Sequence, residues 1–242
     1  RDHGRVHVSE FFLQRMEDRK QRAGKCLELF DNRDSPLLIP GLHALVIVTP
    51  MGYRFLTETY VTERLKVLSV WSMFSDTDLP IRPHPSDPRG RSVREQMVHQ
   101  CVSENLWFKN MFGIDVGAPP LPPEETRLDF IRQYAADSAK RLAELESKDD
   151  AWWEAEVPFF NVPRSRAWIM VRRIAHTSHH RGQQMAMLRM LGRDVHSNYG
   201  PTADTGGLMA NQAPVIYAYD DESELLKDAP KRDLPGPGDK PA

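Results

Sequence analysis

Cysteine is nearly absent: Cys26 and Cys101 are the only two in 242 residues. Two thiols do not make the disulfide framework that holds small secreted domains together. No apolar run approaches the roughly 18–20 residues that span a bilayer. The longest, Leu42 to Val48, contains His43 and lies between Pro40 and Pro50. Neither sign of charge dominates: 32 Lys and Arg face 34 Asp and Glu, a formal charge of −2. No segment is strongly basic, so nucleic acid is not an expected partner. A secretory leader pattern is also missing. These absences exclude membrane-spanning, nucleic-acid-binding and disulfide-scaffold classes, and leave a cytoplasmic protein as the expectation. The length is enough for one domain with a sizeable core.

Proline, by contrast, is plentiful and clustered. Pro80, Pro83, Pro85 and Pro88 form one stiff break, and Pro119, Pro120, Pro122 and Pro123 a second. Between the breaks, apolar residues recur three and four apart, the period of an amphipathic helix. The pattern predicts four long helices near 53–74, 92–112, 124–147 and 165–191. The first carries Leu56, Tyr60, Val67, Trp71 and Phe74 on one face. The second opens on Ser92 with Glu95 three residues later, a capping-box signature, and stops at Gly113. The third carries Leu128, Ile131, Ala135, Ser138, Leu142 and Leu145 as a seam. The expected fold is all-α with no sheet larger than a short hairpin.

The flanks read differently. Residues 1–50 are an irregular N-terminal extension with a short helix hinted around Phe11, Phe12 and Met16. His3 and His7 share a four-residue spacing but have no apolar stripe around them, so they read as solvated. Met51 immediately precedes the first strong helix, which makes it a candidate native start. The domain proper is expected over 51–193 and a partly disordered tail over 194–242. Within the tail, Val215, Ile216, Tyr217 and Tyr219 call for cover, so Asn198 to Tyr219 is expected to be ordered against the helices or a second subunit. From Pro230 the composition reads as disorder. Gly200 to Gly207 is turn chemistry without the Lys-Ser/Thr pair of a phosphate-binding loop.

The chemistry concentrates in Ile174-Ala-His176-Thr-Ser-His179-His180-Arg-Gly-Gln183. A helix turns ~100° per residue, which puts His176 and His180 ~40° apart on one face. Two imidazoles so spaced can converge on a single cation. The same face carries Ile169, Arg172, Gln183, Met187 and Met190: apolar at its ends and polar in its middle. This suits a helix whose centre faces a polar cavity. His179 falls ~60° to the other side and reads as a supporting residue. A third ligand must come from elsewhere, and His99 on the second helix is the candidate. Val102 and Leu106 lie within ~60° and ~20° of it, so it is expected to point toward the core. Cys101 is turned ~160° away and is excluded from the same cation. Arg172 has two readings, a bidentate holder of a substrate carboxylate or a partner in an interhelical ion pair. Trp152 to Pro163, with Trp152, Trp153, Phe159 and Phe160, either packs beneath a loop or lines one wall of a pocket.

His99 with Glu104 and Trp107, His176-x3-His180-Arg181-Gly182-Gln183, and Leu188-Arg189-x2-Gly192 together resemble the DinB/YfiT-like metalloenzyme superfamily, over about Met51 to Arg193. The resemblance implies an up-down four-helix bundle with a long crossover, often a homodimer. It implies a three-His divalent metal site (Zn, Ni or Fe) at His99, His176 and His180. Relatives of that kind include bacillithiol S-transferases, mycothiol-dependent maleylpyruvate isomerases and the iron-binding domain of ergothioneine sulfoxide synthases. The function so implied is a thiol S-transferase or hydrolase, acting on a small molecule with a low-molecular-weight thiol as co-substrate. Arg172 and Gln183 are the candidate catalytic residues. The alternatives are a non-catalytic, stress-related metal-binding bundle and a non-haem iron enzyme of sulfur chemistry.

Overall fold

The computed structural model describes residues 52–117 and 119–236. Expectations for residues 1–50, including the helix near Phe11, the histidines His3 and His7, and Met51 as a start, lie outside the described residues. The described chain is mainly helical. Four long helices, α1 (Arg54–Ser72), α2 (Val93–Trp107), α3 (Arg127–Glu146) and α5 (Arg166–Met190), are joined by irregular segments. Between α3 and α5 lie a short helix, α4 (Asp150–Glu154), and a hairpin of β1 (Glu156–Phe159) and β2 (Val162–Ser165). The strands pair antiparallel with Phe159 opposite Val162. A last short helix, α6 (Glu222–Leu226), lies in the tail.

The local signals act as the sequence suggests. Ser92 caps α2 by accepting from the Glu95 amide at 3.2 Å, while the Glu95 carboxylate accepts from the Ser92 amide at 2.8 Å. Past Trp107 the helix widens into a π-helical turn, Phe108–Phe112, and ends at Gly113 with φ of +69°. Glycine adopts that left-handed conformation without a Cβ clash. The third helix starts later than expected, because Thr126 supplies the cap by accepting from the Asp129 amide.

The directions of the four helices follow from which residues meet. Trp71 of α1 bonds Gln184 of α5, and Glu63 meets Arg181, so α1 and α5 run parallel. Trp71 packs on Phe130 while Arg64 bonds Ser138, so α3 runs against α1. Gln96 bonds His180 while Ser103 bonds Arg173, so α2 runs against α5. The order is therefore up, down, down, up. The two like-directed neighbours, α2 and α3, need the crossover that Gly113 to Thr126 provides.

The core is divided. One apolar cluster holds Val67, Leu68, Trp71, Met97, Phe130, Ile131, Met187 and Leu188; the other holds Leu56, Phe108, Phe112, Trp153, Ile169 and Met170. Between them lies a belt of buried polar groups centred on Glu104, only 1% exposed. Its Oε1 accepts from the Tyr60 hydroxyl at 2.7 Å and from Arg141 at 3.2 Å. Its Oε2 accepts from the Tyr134 hydroxyl at 3.0 Å and lies 3.7 Å from Arg173. Burial, and then the Glu104 charge, hold both tyrosine hydroxyls well above their ordinary pKa.

The tail departs from expectation in two respects. Residues from Pro230 were expected to be disordered. Instead the Arg232 amide donates to the Ala218 carbonyl at 3.0 Å, and Thr205 bridges to Gly236. These backbone bonds give an otherwise polar segment a fixed place. Within Asn198 to Tyr219, Asn198, Ala218 and Tyr219 are buried, but Val215 and Tyr217 remain exposed. Extended chain alternates its side chains, so only one set can face the helices. α6 is fixed at its base by the Arg64–Glu222 ion pair.

The belt generates a stability prediction. Removing one member of a buried ion pair strands the other, at a cost of about 3–5 kcal/mol. Glu104→Ala is expected to lower the unfolding free energy in urea by that amount, whereas Glu58→Ala, which breaks the exposed Arg54–Glu58 pair, should leave it nearly unchanged. Equal effects in equilibrium unfolding would refute the role given to Glu104.

Candidate metal centre

His176 and His180 lie one turn apart on α5, and the antiparallel course of α2 brings His99 level with them. The three rings are mutually edge-on: His99 stands 4.6 Å from His180 and 5.4 Å from His176 between centroids, and His176 stands 4.6 Å from His180. One nitrogen from each ring falls within 4.8 Å of the others. The Nε2 atoms of His176 and His180 are 3.2 Å apart. Donors bound to one tetrahedral cation at roughly 2.0–2.1 Å stand about 3.3–3.4 Å apart, so the spacing of this pair suits a shared ion.

The proton positions support the same fit. Gln96 donates through Nε2 to Gln183 Oε1 at 2.9 Å, which turns its own Oε1 toward His180 Nδ1 at 2.8 Å. A carbonyl oxygen only accepts, so His180 carries its proton on Nδ1 and presents a bare Nε2 lone pair to His176. A partner of this kind on the far nitrogen is how proteins orient ligating histidines. His176 Nδ1 is buried without a hydrogen-bond partner. Burial, followed by the Arg173 guanidinium, pushes His176 down to about 4. Burial and the neighbouring rings of His176 and His99 push His180 down to about 3. His99 is lowered by burial and then by Arg91 and Arg173. All three favour the neutral form that a cation requires.

Some of the candidate residues lie elsewhere. His99 does not point into a closed core, because Leu106 on its face is 49% exposed; the triad lies where α2 and α5 meet solvent, and His99 and His176 are half-buried. Arg172 is exposed and has no carboxylate within 4 Å among the described residues. The buried interhelical ion pair that the sequence allowed for it is made by its neighbour Arg173, which also donates to Ser103 and Thr177. Gln183 is exposed but touches the triad through His180 Nδ1 at 3.2 Å, and its Nε2 meets His179 at 3.0 Å. His179 points outward and stays out of the triad. Cys101 is buried in the apolar cluster away from the histidines, and burial pushes its thiol pKa up.

Three residues around the triad escape sequence reasoning. Gln96 fixes the His180 tautomer, and only its place one turn before His99 hints at this. Arg173 sits one residue from the arginine the face pattern selected. Trp107, which lies over His176 with centroids 5.8 Å apart and planes inclined by 21°, shows as part of the family resemblance but not as a neighbour of the ring.

Comparison with known proteins gives the family and the fold. The DinB family model matches residues 56–207, and the chain belongs to the DinB family. Among solved structures it is similar to a DinB-like protein from Bacillus cereus at 17% identity, with a TM-score of 0.54 over 60% of this chain and 97% of that one. A DinB-like protein from Bacillus subtilis has 14% identity and a TM-score of 0.47, over 60% of this chain and 97% of that one. At 17% identity the likeness to the Bacillus cereus protein is one of fold. No curated protein matches the chain. Among the described residues, no helix is long and apolar enough to cross a membrane.

The depressed histidines set a pH dependence for the metal-free protein. Both folded pKa values lie below the ordinary 6.5. As pH falls below that value, the unfolded chain takes up protons that the folded rings refuse, so stability declines toward about 4 and levels off below about 3. NMR titration of the ring protons should show His176 and His180 neutral at pH 5. Ordinary titration of both near 6.5 would contradict the burial and geometry given above.

Proposed function

We propose that this DinB-family chain is a metal-dependent enzyme of the thiol S-transferase or hydrolase type, built as a four-helix bundle, with His99, His176 and His180 holding one divalent cation. The observation that carries the reading is the pair of Nε2 atoms 3.2 Å apart, one of them stripped of its proton by Gln96. The bare His180 lone pair at that distance is met either by a proton on His176 Nε2 or by a shared cation, and His99 beside the pair supplies the third nitrogen that favours the cation. A bound zinc, nickel or iron ion would supply Lewis acidity, which favours the deprotonated form of a thiol or of water near neutral pH.

The chain's own groups support a catalytic rather than a purely structural role. Three histidines leave one side of a tetrahedral ion free, and the half-exposed His99 and His176 put that side within reach of solvent. Arg172, with no carboxylate partner among the described residues, is placed one turn from His176 to take a substrate carboxylate. Gln96 and Gln183 keep His180 in one tautomer and one orientation. A small-molecule substrate, a low-molecular-weight thiol and a homodimer belong to the same reading.

The test begins with metal content, on protein purified without a nickel column. About one equivalent of metal per chain is expected. His176→Ala should lose nearly all of it while its circular dichroism stays helical, because the two apolar clusters are untouched. His179→Ala should keep most of it. Turnover of a model electrophile with several low-molecular-weight thiols then separates transferase from hydrolase. Full metal retention in His176→Ala would sink the site and the enzyme reading with it.

A further inference from the structure

The β1–β2 hairpin closes through two residues, Phe160 and Asn161. Phe160 sits there with φ of +54°. Tight hairpin loops use such conformations, but they favour glycine, asparagine or aspartate at them. For a bulky side chain the conformation is a true outlier, and backbone outliers of this kind cluster at functional sites. Burial offers little compensation here, because Phe160 is 72% exposed. The turn therefore holds a large apolar ring in the open, in a backbone state that a smaller residue would occupy with less strain.

The ring's neighbours suggest a reason. Phe160 stands edge-on to Phe159 at 4.8 Å and to Trp107 at 6.4 Å between centroids. Phe159 also meets Trp107 at 5.3 Å, and Trp168 beyond it at 5.2 Å. Trp107 in turn lies over His176, with the Arg173 guanidinium 5.5 Å from its ring centre. An unbroken aromatic wall thus runs from the exposed Phe160 to the edge of the histidine triad. Its inner end is fixed: the Glu104–Arg173 contact anchors the guanidinium that lies on Trp107. Its outer end is presented to solvent.

We propose that Phe160 and Trp107 form a binding wall for a flat, apolar group of the substrate, an aryl ring being the best fit, whose reacting end lies at His99, His176 and His180. The proposal rests on the metal-centre reading for the place of the reacting end, but not for the wall itself. Aromatic faces and edges favour other aromatic rings beyond simple burial of area. Arg172, one turn before His176, suits an anionic group on the same ligand. The substrate class is therefore an aryl-bearing organic anion.

Phenylacetate and acetate are the probes, since they share a carboxylate and differ by the ring. Calorimetric titration of the zinc-loaded protein is expected to show phenylacetate binding about tenfold tighter than acetate. In Phe160→Gly the preference should shrink to within about threefold, with zinc stoichiometry intact and thermal stability unchanged or higher, because glycine relaxes the backbone. Phe160→Asn, which also tolerates this conformation, should behave alike if the glycine variant fails to fold. Equal binding of the two probes by the wild type, or a preference that survives both variants, overturns the proposal. So does a melting point several degrees lower in both variants, which would make Phe160 a folding residue. If zinc does not bind, the metal-centre reading fails alone, and saturation-transfer NMR on the metal-free protein decides the wall. Transfer to the phenyl protons in the wild type but not in the variants supports it, and no transfer in the wild type overturns it.

Discussion

The Glu104 carboxylate is the constraint on which the arrangement depends. A carboxyl group 1% exposed is stable only when its polar atoms are matched by partners. The matching groups come from every long helix: Tyr60 on α1, Tyr134 and Arg141 on α3, and Arg173 on α5, with Glu104 itself on α2. An apolar interface tolerates a helix sliding by part of a turn, because one methylene replaces another. A carboxylate with three hydrogen bonds and a further ion pair does not. The belt therefore sets the axial register of all four helices, while the apolar clusters on either side supply the greater part of the burial energy.

That register is what the histidines need. His99 lies five residues before Glu104 and His176 three after Arg173, so the Glu104–Arg173 contact clamps α2 to α5 beside the triad. A displacement of one residue along a helix is about 1.5 Å, enough to separate Nε2 atoms that now stand 3.2 Å apart. The same clamp brings a positive guanidinium near neutral rings. Together with burial it depresses His176 and His99, so the groups that align the site also keep it unprotonated.

Much of this was legible in the sequence because it is local. Amphipathic periodicity and proline clusters give the four long helices within a few residues, and four-residue spacing brings His176 and His180 together. What was not legible is non-local. A helical wheel orders side chains by angle but does not say where the partner helix ends. Leu106 shares the face of His99 on the wheel yet is exposed, while its neighbour Trp107 is the residue that lies over His176 of α5. Arg172 and Arg173 differ by one position, and only the location of Glu104 on another helix determines which is buried. The order of residues 230–236 comes from backbone bonds to Ala218 and Thr205, which composition does not register.

The contrast between the two sides of the triad bears on what the site does. On the inner side the supporting groups are held: Gln96 on His180, Arg173 on Thr177 and Ser103, and Trp107 between Arg173 and His176. On the outer side Leu106, Trp168 and Phe160 are exposed, Arg172 has no carboxylate partner among the described residues, and the hairpin turn carries a backbone outlier. A site meant only to cross-link helices through an ion would gain from closure, because exclusion of water strengthens its interactions. Rigidity on one side and unspent contact surface on the other is what the proposed function requires, an ion held by the histidines and open to a ligand from solution.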